Sequence, residues 1–148
     1  MLGIKKNIAI GSDHAGFKLK EFLKKELMLK GYVFKDYGSF DENSVDYPDI
    51  AHPLSEDIED ELYDYGILIC GSGNGVSIAA NKHKKIRAAL CWTTEIARLA
   101  RLHNNANILS LPARFIDEKT ALSITETFLN TNFEGGRHQI RVEKISEF

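Results

Sequence analysis

Cysteine is scarce in this 148-residue chain: there are two, Cys70 and Cys91, with no Cys-x-x-Cys pair and no Cys/His ligand spacing. A structural zinc site and a disulfide framework are therefore not expected. No apolar run approaches the ~20 residues needed to span a bilayer, and residues 1–8 hold too little apolar sequence for a signal peptide. The expectation is a cytoplasmic protein with no membrane partner. An excess of one charge is missing as well. With 19 Lys and Arg against 21 Asp and Glu the formal net charge is −2, which argues against a general nucleic-acid binder and requires any anionic ligand to be caught locally. There is no Walker G-x-x-x-x-G-K-[ST] and no internal repeat, low-complexity tract or linker.

What is present reads as one domain, 1–148, with 131–148 as a C-terminal extension. A hydrophobic fraction of 43% and a charged fraction of 27% are ordinary for a globular chain of this length. Short apolar runs at 7–11, 32–37, 66–70, 86–91 and 106–111 alternate with segments of helical spacing at 17–29, 50–63, 76–83, 94–103 and 117–130. Five strand-helix alternations predict a parallel sheet with helices on both faces. The expected fold class is α/β, a three-layer αβα Rossmann-like domain. The flavodoxin-like strand order 2-1-3-4-5 is preferred because it sets the ends of strands one and three side by side. An amphipathic segment, Arg137 to Phe148, is left over after the sheet is complete.

Residues 66–75, Gly-Ile-Leu-Ile-Cys-Gly-Ser-Gly-Asn-Gly, are the most informative. A strand delivers Cys70 to its end, and Gly71, Gly73 and Gly75 then bare consecutive N–H groups, those of Ser72 and Asn74 among them, where a helix begins. A thiol beside such a cradle suits a base or nucleophile facing negative charge. The plainer reading is a tight turn with Cys70 as a small buried hydrophobe. Dinucleotide binding fails on detail, because the third glycine of G-x-G-x-x-G is absent and the loop follows the third strand.

Other candidates gather around this loop. Strand one ends in Ser12-Asp13-His14-Ala15-Gly16, where Asp13 is either an N-cap or a site carboxylate. His103, followed by Asn104, closes the fourth helix, a position whose dipole favours positive charge on a proton donor; an exposed histidine beside a C-cap is the alternative. Arg137 and Arg141 stand one helical turn apart and suit a phosphate, or form a solvated basic face. Arg114 follows the fifth strand as a ligand or a surface charge, and Tyr47 either lines a sugar or packs. His52 and His83 match nothing catalytic.

Taken in order, Ser12-Asp13-His14-Ala15-Gly16, Asp46-Tyr47-Pro48, Cys70-Gly71-Ser72-Gly73-Asn74-Gly75, Ala79-Ala80-Asn81-Lys82, His103-Asn104 and Gly135-Gly136-Arg137-His138-Gln139 resemble the type B ribose-5-phosphate isomerases over nearly the whole length. The related galactose-6-phosphate isomerases are similar in scaffold. The resemblance implies interconversion of ribose 5-phosphate and ribulose 5-phosphate through an enediolate, with no metal or organic cofactor. It implies Cys70 as base, Ser72 as proton relay, and the N–H groups of the glycine loop as stabilisers of the enediolate oxygen. Asp13 and His103 would open the sugar ring. His14, Arg137 and Arg141, with His138 and Arg114, would hold the phosphate, and Tyr47 would line the sugar. One branch of that family uses a glutamate just after the loop; here Val76 stands there and accepts no proton. A six-carbon 6-phosphate substrate (allose or galactose 6-phosphate) is the alternative, and a non-catalytic sugar-phosphate binder is a further one. The expected assembly is a homodimer or a tetramer, with the site completed across subunits.

Overall fold

The computed structural model describes residues 6–148. The expectation for the first residues therefore falls, for positions 1–5, outside the described part. The elements are β1 (Asn7–Ser12), α1 (Phe17–Met28), β2 (Val33–Asp36), α2 (Tyr47–Glu59), β3 (Tyr65–Cys70), α3 (Asn74–Ala80), β4 (Ala88–Leu90), α4 (Thr94–Asn104), β5 (Ile108–Pro112), α5 (Glu118–Leu129) and α6 (Arg137–Lys144). A 3-10 turn, His14–Gly16, joins β1 to α1. Among the described residues no helix is long and apolar enough to cross a membrane.

The five strands form one parallel sheet in the order β2-β1-β3-β5-β4. The α/β class and the adjacency of β1 and β3 agree with expectation, but the last two strands are exchanged relative to 2-1-3-4-5. Burial explains the exchange. All five residues of β5 are buried, whereas β4 is three residues long and only half-buried. A doubly buried apolar strand belongs inside a parallel sheet, and the short strand is the one that tolerates an edge.

Crossover handedness then assigns the helices to faces. Steps from β1 to β2 and from β4 to β5 run one way across the sheet, while β2 to β3 and β3 to β4 run the other way. Right-handed connections accordingly put α1 and α4 on one face, and α2 and α3 on the opposite one. The core divides along the same line. Ile8, Ile10, Ile67, Ile69, Leu109 and Leu111 pack with residues of α1, α4 and α5. Ala9, Leu68, Cys70 and Ile108 point the other way, toward Ala51 and Leu54 of α2 and Val76 and Ala80 of α3. The two-residue period of β3 thus turns the Cys70 side chain to the α2/α3 side.

Several boundaries differ from the sequence reading for local reasons. Helix α2 begins at Tyr47 because Pro48 fits its first turn, and it ends at Glu59 because Glu61 just beyond adopts φ 58°. Helix α6 ends at Lys144. It packs on α4 of the same chain, with the Glu134 N–H donating to the Leu102 carbonyl at 3.1 Å. The segment left over after the sheet thus finds a face on its own chain, although Ile140, Ile145 and Phe148 stay exposed. Beyond β1, the fully buried Lys20 ammonium donates to Asp36 at 2.6 Å and to Glu21 at 2.9 Å. Asp36 in turn accepts the Gly38 N–H, and Gly38 and Ser39 pair with both sides of the Ser12 peptide. A satisfied buried ion pair therefore holds the chain that flanks the end of β1.

Candidate active site

The carboxyl ends of β1, β3 and β5 open into a cleft of about 540 Å³ lined by Asp13, Tyr47, Cys70, Ser72, Gly75 and Arg114 together with Gly71 and Phe115. Its place follows from the topology, since the direction in which strands are added to the sheet reverses between β1 and β3, and helices leave β3 and β5 toward opposite faces. The Asp13 N–H donates to the Ile69 carbonyl at 3.1 Å, tying the two strand ends together.

Cys70 is 5% exposed, and its Sγ accepts the Gly73 N–H at 3.2 Å. Ser72 is exposed, and its Oγ accepts the Asn74 N–H at 3.3 Å. Two loop N–H groups are thus occupied internally. Those of Gly71, Ser72 and Gly75 have no acceptor among the described residues and lie in the cleft wall. They are the donors left for a ligand oxygen.

Each glycine of the loop has its own steric reason. Gly73 adopts φ 77°, and a β-carbon there would lie 2.4 Å from Leu90 Cδ1. A β-carbon on Gly75 would lie 2.7 Å from Tyr47 Cζ, so the phenol ring rests on the bare backbone of α3. One on Gly71 would come within 3.1 Å of Arg114 Nη1. The glycines therefore admit Tyr47 and Arg114 to the cleft as well as exposing N–H groups.

Asp13 caps the 3-10 turn, its Oδ1 accepting the Gly16 N–H at 3.1 Å. The capping alternative thus holds, and it fixes a carboxylate that also lines the cleft. His14 Nδ1 accepts the Val45 N–H at 3.4 Å, which places the ring proton on Nε2 and couples the loop before α2 to the end of β1. Cys91, the other thiol, is fully buried, and burial pushes it up to about 12, so it stays protonated and inert. The sequence reading missed Phe115, which is 75% exposed at the cleft mouth. The only available signal was an aromatic residue next to Arg114.

His103, Asn104, Arg137, His138 and Arg141 do not join this cleft. Helix α4 runs back from the carboxyl end of β4 to the amino end of β5, so its C-terminus lies at the opposite end of the sheet. An 11-residue helix spans roughly 16 Å, which sets His103 that order of distance from the thiol layer of its own chain. There His103 stacks on His138 with ring centroids 4.2 Å apart and planes 15° apart, and its Nε2 lies 3.9 Å from Glu134 Oε2. Burial holds the His138 imidazole below its usual range, and the neighbouring His103, Arg137 and Arg141 add to that against the opposing Glu134. Glu134 is a second residue missed, one step before Gly135-Gly136.

His103, Glu134 and His138 offer donor atoms within 4.8 Å of one another. Nearly parallel rings aim their nitrogen lone pairs side by side, not at one point, so the trio does not fit a tetrahedral ion as it stands. Gly135 (φ 73°) and Gly136 (φ 56°) supply the turn that brings α6 back onto α4. Arg137 and Arg141 are exposed on it.

The chain matches the model of the Ribose/Galactose Isomerase family over residues 8–145. It is 46% identical over 139 residues to a putative sugar phosphate isomerase of Rickettsia bellii, covering 94% of this chain and 96% of that one. It superposes on a ribose 5-phosphate isomerase of Thermotoga maritima with a TM-score of 0.95 at 53% identity, covering 97% and 99% of the two chains. A ribose-5-phosphate isomerase B of Mycoplasma genitalium, solved with bound ribulose-5-phosphate, gives 0.91 at 42% identity, covering 98% and 97%. With the fold, the cleft and six ordered motifs all in place, this chain belongs to the ribose/galactose isomerase family.

Proposed function

We propose that this protein interconverts ribose 5-phosphate and ribulose 5-phosphate, and that it does so as a homodimer whose sites are completed across the subunit interface. One observation carries the reading: thiol, glycine loop and Arg114 stand at one end of the sheet, while His103, Arg137 and Arg141 stand at the other. Neither end alone has a base, a ring-opening acid and a full phosphate clamp. A second copy placing its α4–α6 end over the Cys70 cleft supplies what each lacks, and the exposed Ile140, Ile145 and Phe148 give that end apolar surface.

In the open-chain aldose, Cys70 takes the proton from C2, and the electron pair becomes the C1–C2 enediolate with charge gathering on O1. The N–H groups of Ser72 and Gly75 face that charge. The Ser72 hydroxyl carries the O2 proton to O1, and the thiol returns its proton to C1, leaving the carbonyl at C2. Asp13 and His103 from a second copy move the ring-opening protons. Arg114, His14, and the second copy's Arg137 and Arg141 hold the phosphate, and Tyr47 walls the sugar.

Initial rates with ribose 5-phosphate, allose 6-phosphate and galactose 6-phosphate, each with and without a chelator, test this. Ribose 5-phosphate should give the highest kcat/KM, unchanged by chelation. A preference for either six-carbon substrate would replace the five-carbon assignment, and no turnover of any would leave a binding protein.

A further inference from the structure

Beneath the amino ends of the strands lies a second cavity, of about 310 Å³, whose wall includes Tyr63, Asp64, Tyr65, Arg87, Arg101 and Asn105. That volume is near the lower end of small-molecule sites, ~300–1,000 Å³. Its two arginines are fixed by neutral groups alone. Arg101, 4% exposed, donates from Nε to the Thr131 carbonyl at 3.0 Å, and from Nη1 to the Ala106 carbonyl at 2.6 Å and Asn105 Oδ1 at 2.9 Å. Its guanidinium lies over the Tyr65 ring, 4.8 Å from the centroid. Arg87 donates from Nε to the Asn105 carbonyl at 2.9 Å and from Nη1 to the Lys85 carbonyl at 3.4 Å. Asn105 thus sits between the two forks and accepts from both.

Neither arginine has a carboxylate within ion-pair distance among the described residues. Burial lowers both from the usual arginine range, and Arg101 lowers Arg87 further. Two partly buried like charges without a counter-ion are costly. On each arginine, Nη2 makes no hydrogen bond among the described residues. The Asn105 side-chain amide likewise donates to no described group. Asp64 spends one oxygen on the Asn7 N–H, and Glu61 stands at the rim.

We infer that this cavity is a second anion site, one that takes inorganic phosphate or the phosphate end of a phosphomonoester on Arg87, Arg101 and the Asn105 amide. Each guanidinium is held rigidly through Nε and Nη1 with Nη2 left to donate, and two such donors beside the Asn105 amide suit the several oxygens of a tetrahedral anion better than a lone carboxylate. Asp64 and Glu61 would accept from the hydroxyls of an organic phosphate. Within one chain the site lies at the end of the strands opposite the Cys70 cleft.

The test is a titration of the full-length protein followed through its arginine Nε–Hε resonances, with inorganic phosphate in one arm, glycerol 1-phosphate in another, and sodium chloride at matched ionic strength as control. The Arg87 and Arg101 signals should move saturably with either phosphate and not with chloride. Tighter binding of glycerol 1-phosphate would assign Asp64 and Glu61 to its hydroxyls, and equal affinity would assign the site to the phosphate group alone. Arg87→Gln should weaken binding read at Arg101 by about tenfold or more, while kcat and KM of the isomerase reaction stay unchanged. Arg87→Lys, which keeps the charge but loses the fork, should fall between, and guards against a variant that fails to fold. Arginine signals that stay still, move equally in chloride, or respond identically in Arg87→Gln would overturn the site.

Discussion

The main-chain N–H of Arg114 donates to the Gly71 carbonyl at 3.0 Å, so the residue after β5 is hydrogen-bonded to the residue after Cys70. This contact exists only because β5, and not β4, lies next to β3. In the order 2-1-3-4-5 one more strand would intervene, moving Arg114 about 5 Å farther from the thiol. The exchange of two strands therefore decides whether this arginine can reach a ligand at the glycine loop.

Cys70→Ala should abolish isomerisation while leaving phosphate-ligand binding nearly intact, because the contacts proposed for binding lie elsewhere. Iodoacetamide should alkylate Cys70, with substrate protecting, and leave Cys91 untouched, since burial pushes the Cys91 thiol up to about 12. Peptide mapping reads the labelled position. More than about a tenth of wild-type kcat in Cys70→Ala would remove the thiol from the role of base.

Gly75→Ala should damage the site through Tyr47, because the new methyl would overlap the phenol ring at 2.7 Å. Loss of the ring relieves that overlap. Tyr47→Ala and Gly75→Ala should therefore combine non-additively, with a coupling of about 0.5–3 kcal/mol in kcat/KM from a double-mutant cycle. Strict additivity would mean that the ring does not rest on the glycine in the working enzyme.

Mixing inactive Cys70→Ala with inactive His103→Ala under subunit exchange should restore activity approaching about a quarter of wild type, since half the dimers are mixed and each of those has one intact site. Arg137→Ala and Arg141→Ala should mainly raise KM, each by about ten- to a hundredfold if a charge-assisted phosphate contact is lost. A fully active monomer in sedimentation would end the shared-site proposal.

Stability should fall as pH drops through the histidine range. The folded His138 is held below the usual 6.5 by burial first and then by His103, Arg137 and Arg141. Between its folded value and about 6.5 the unfolded chain binds more protons, so acid favours unfolding; below the folded value the contribution levels off. Tm measured from about pH 8 to pH 5 should show this slope, and His138→Gln should flatten it. An unchanged slope would place the proton uptake elsewhere.

Local chemistry made much of this protein legible from its sequence. Apolar runs of strand length, helical periodicity and glycines at the Cys70 loop all act over a few residues, so the five strands and most helices could be placed within a turn. The same short range hid the rest. Nothing in the run Ala88 to Leu90 says that it closes the sheet while Ile108 to Pro112 enters it. That choice compares how much apolar surface each strand buries on both faces, a sum over α1 to α5 together. Likewise the motifs carrying Cys70, His103 and Arg137 follow one another in the chain as though they formed one site. Only the return path of α4 shows that a single chain holds them at opposite ends of its sheet, because a right-handed crossover must bring the helix back to where the next parallel strand begins.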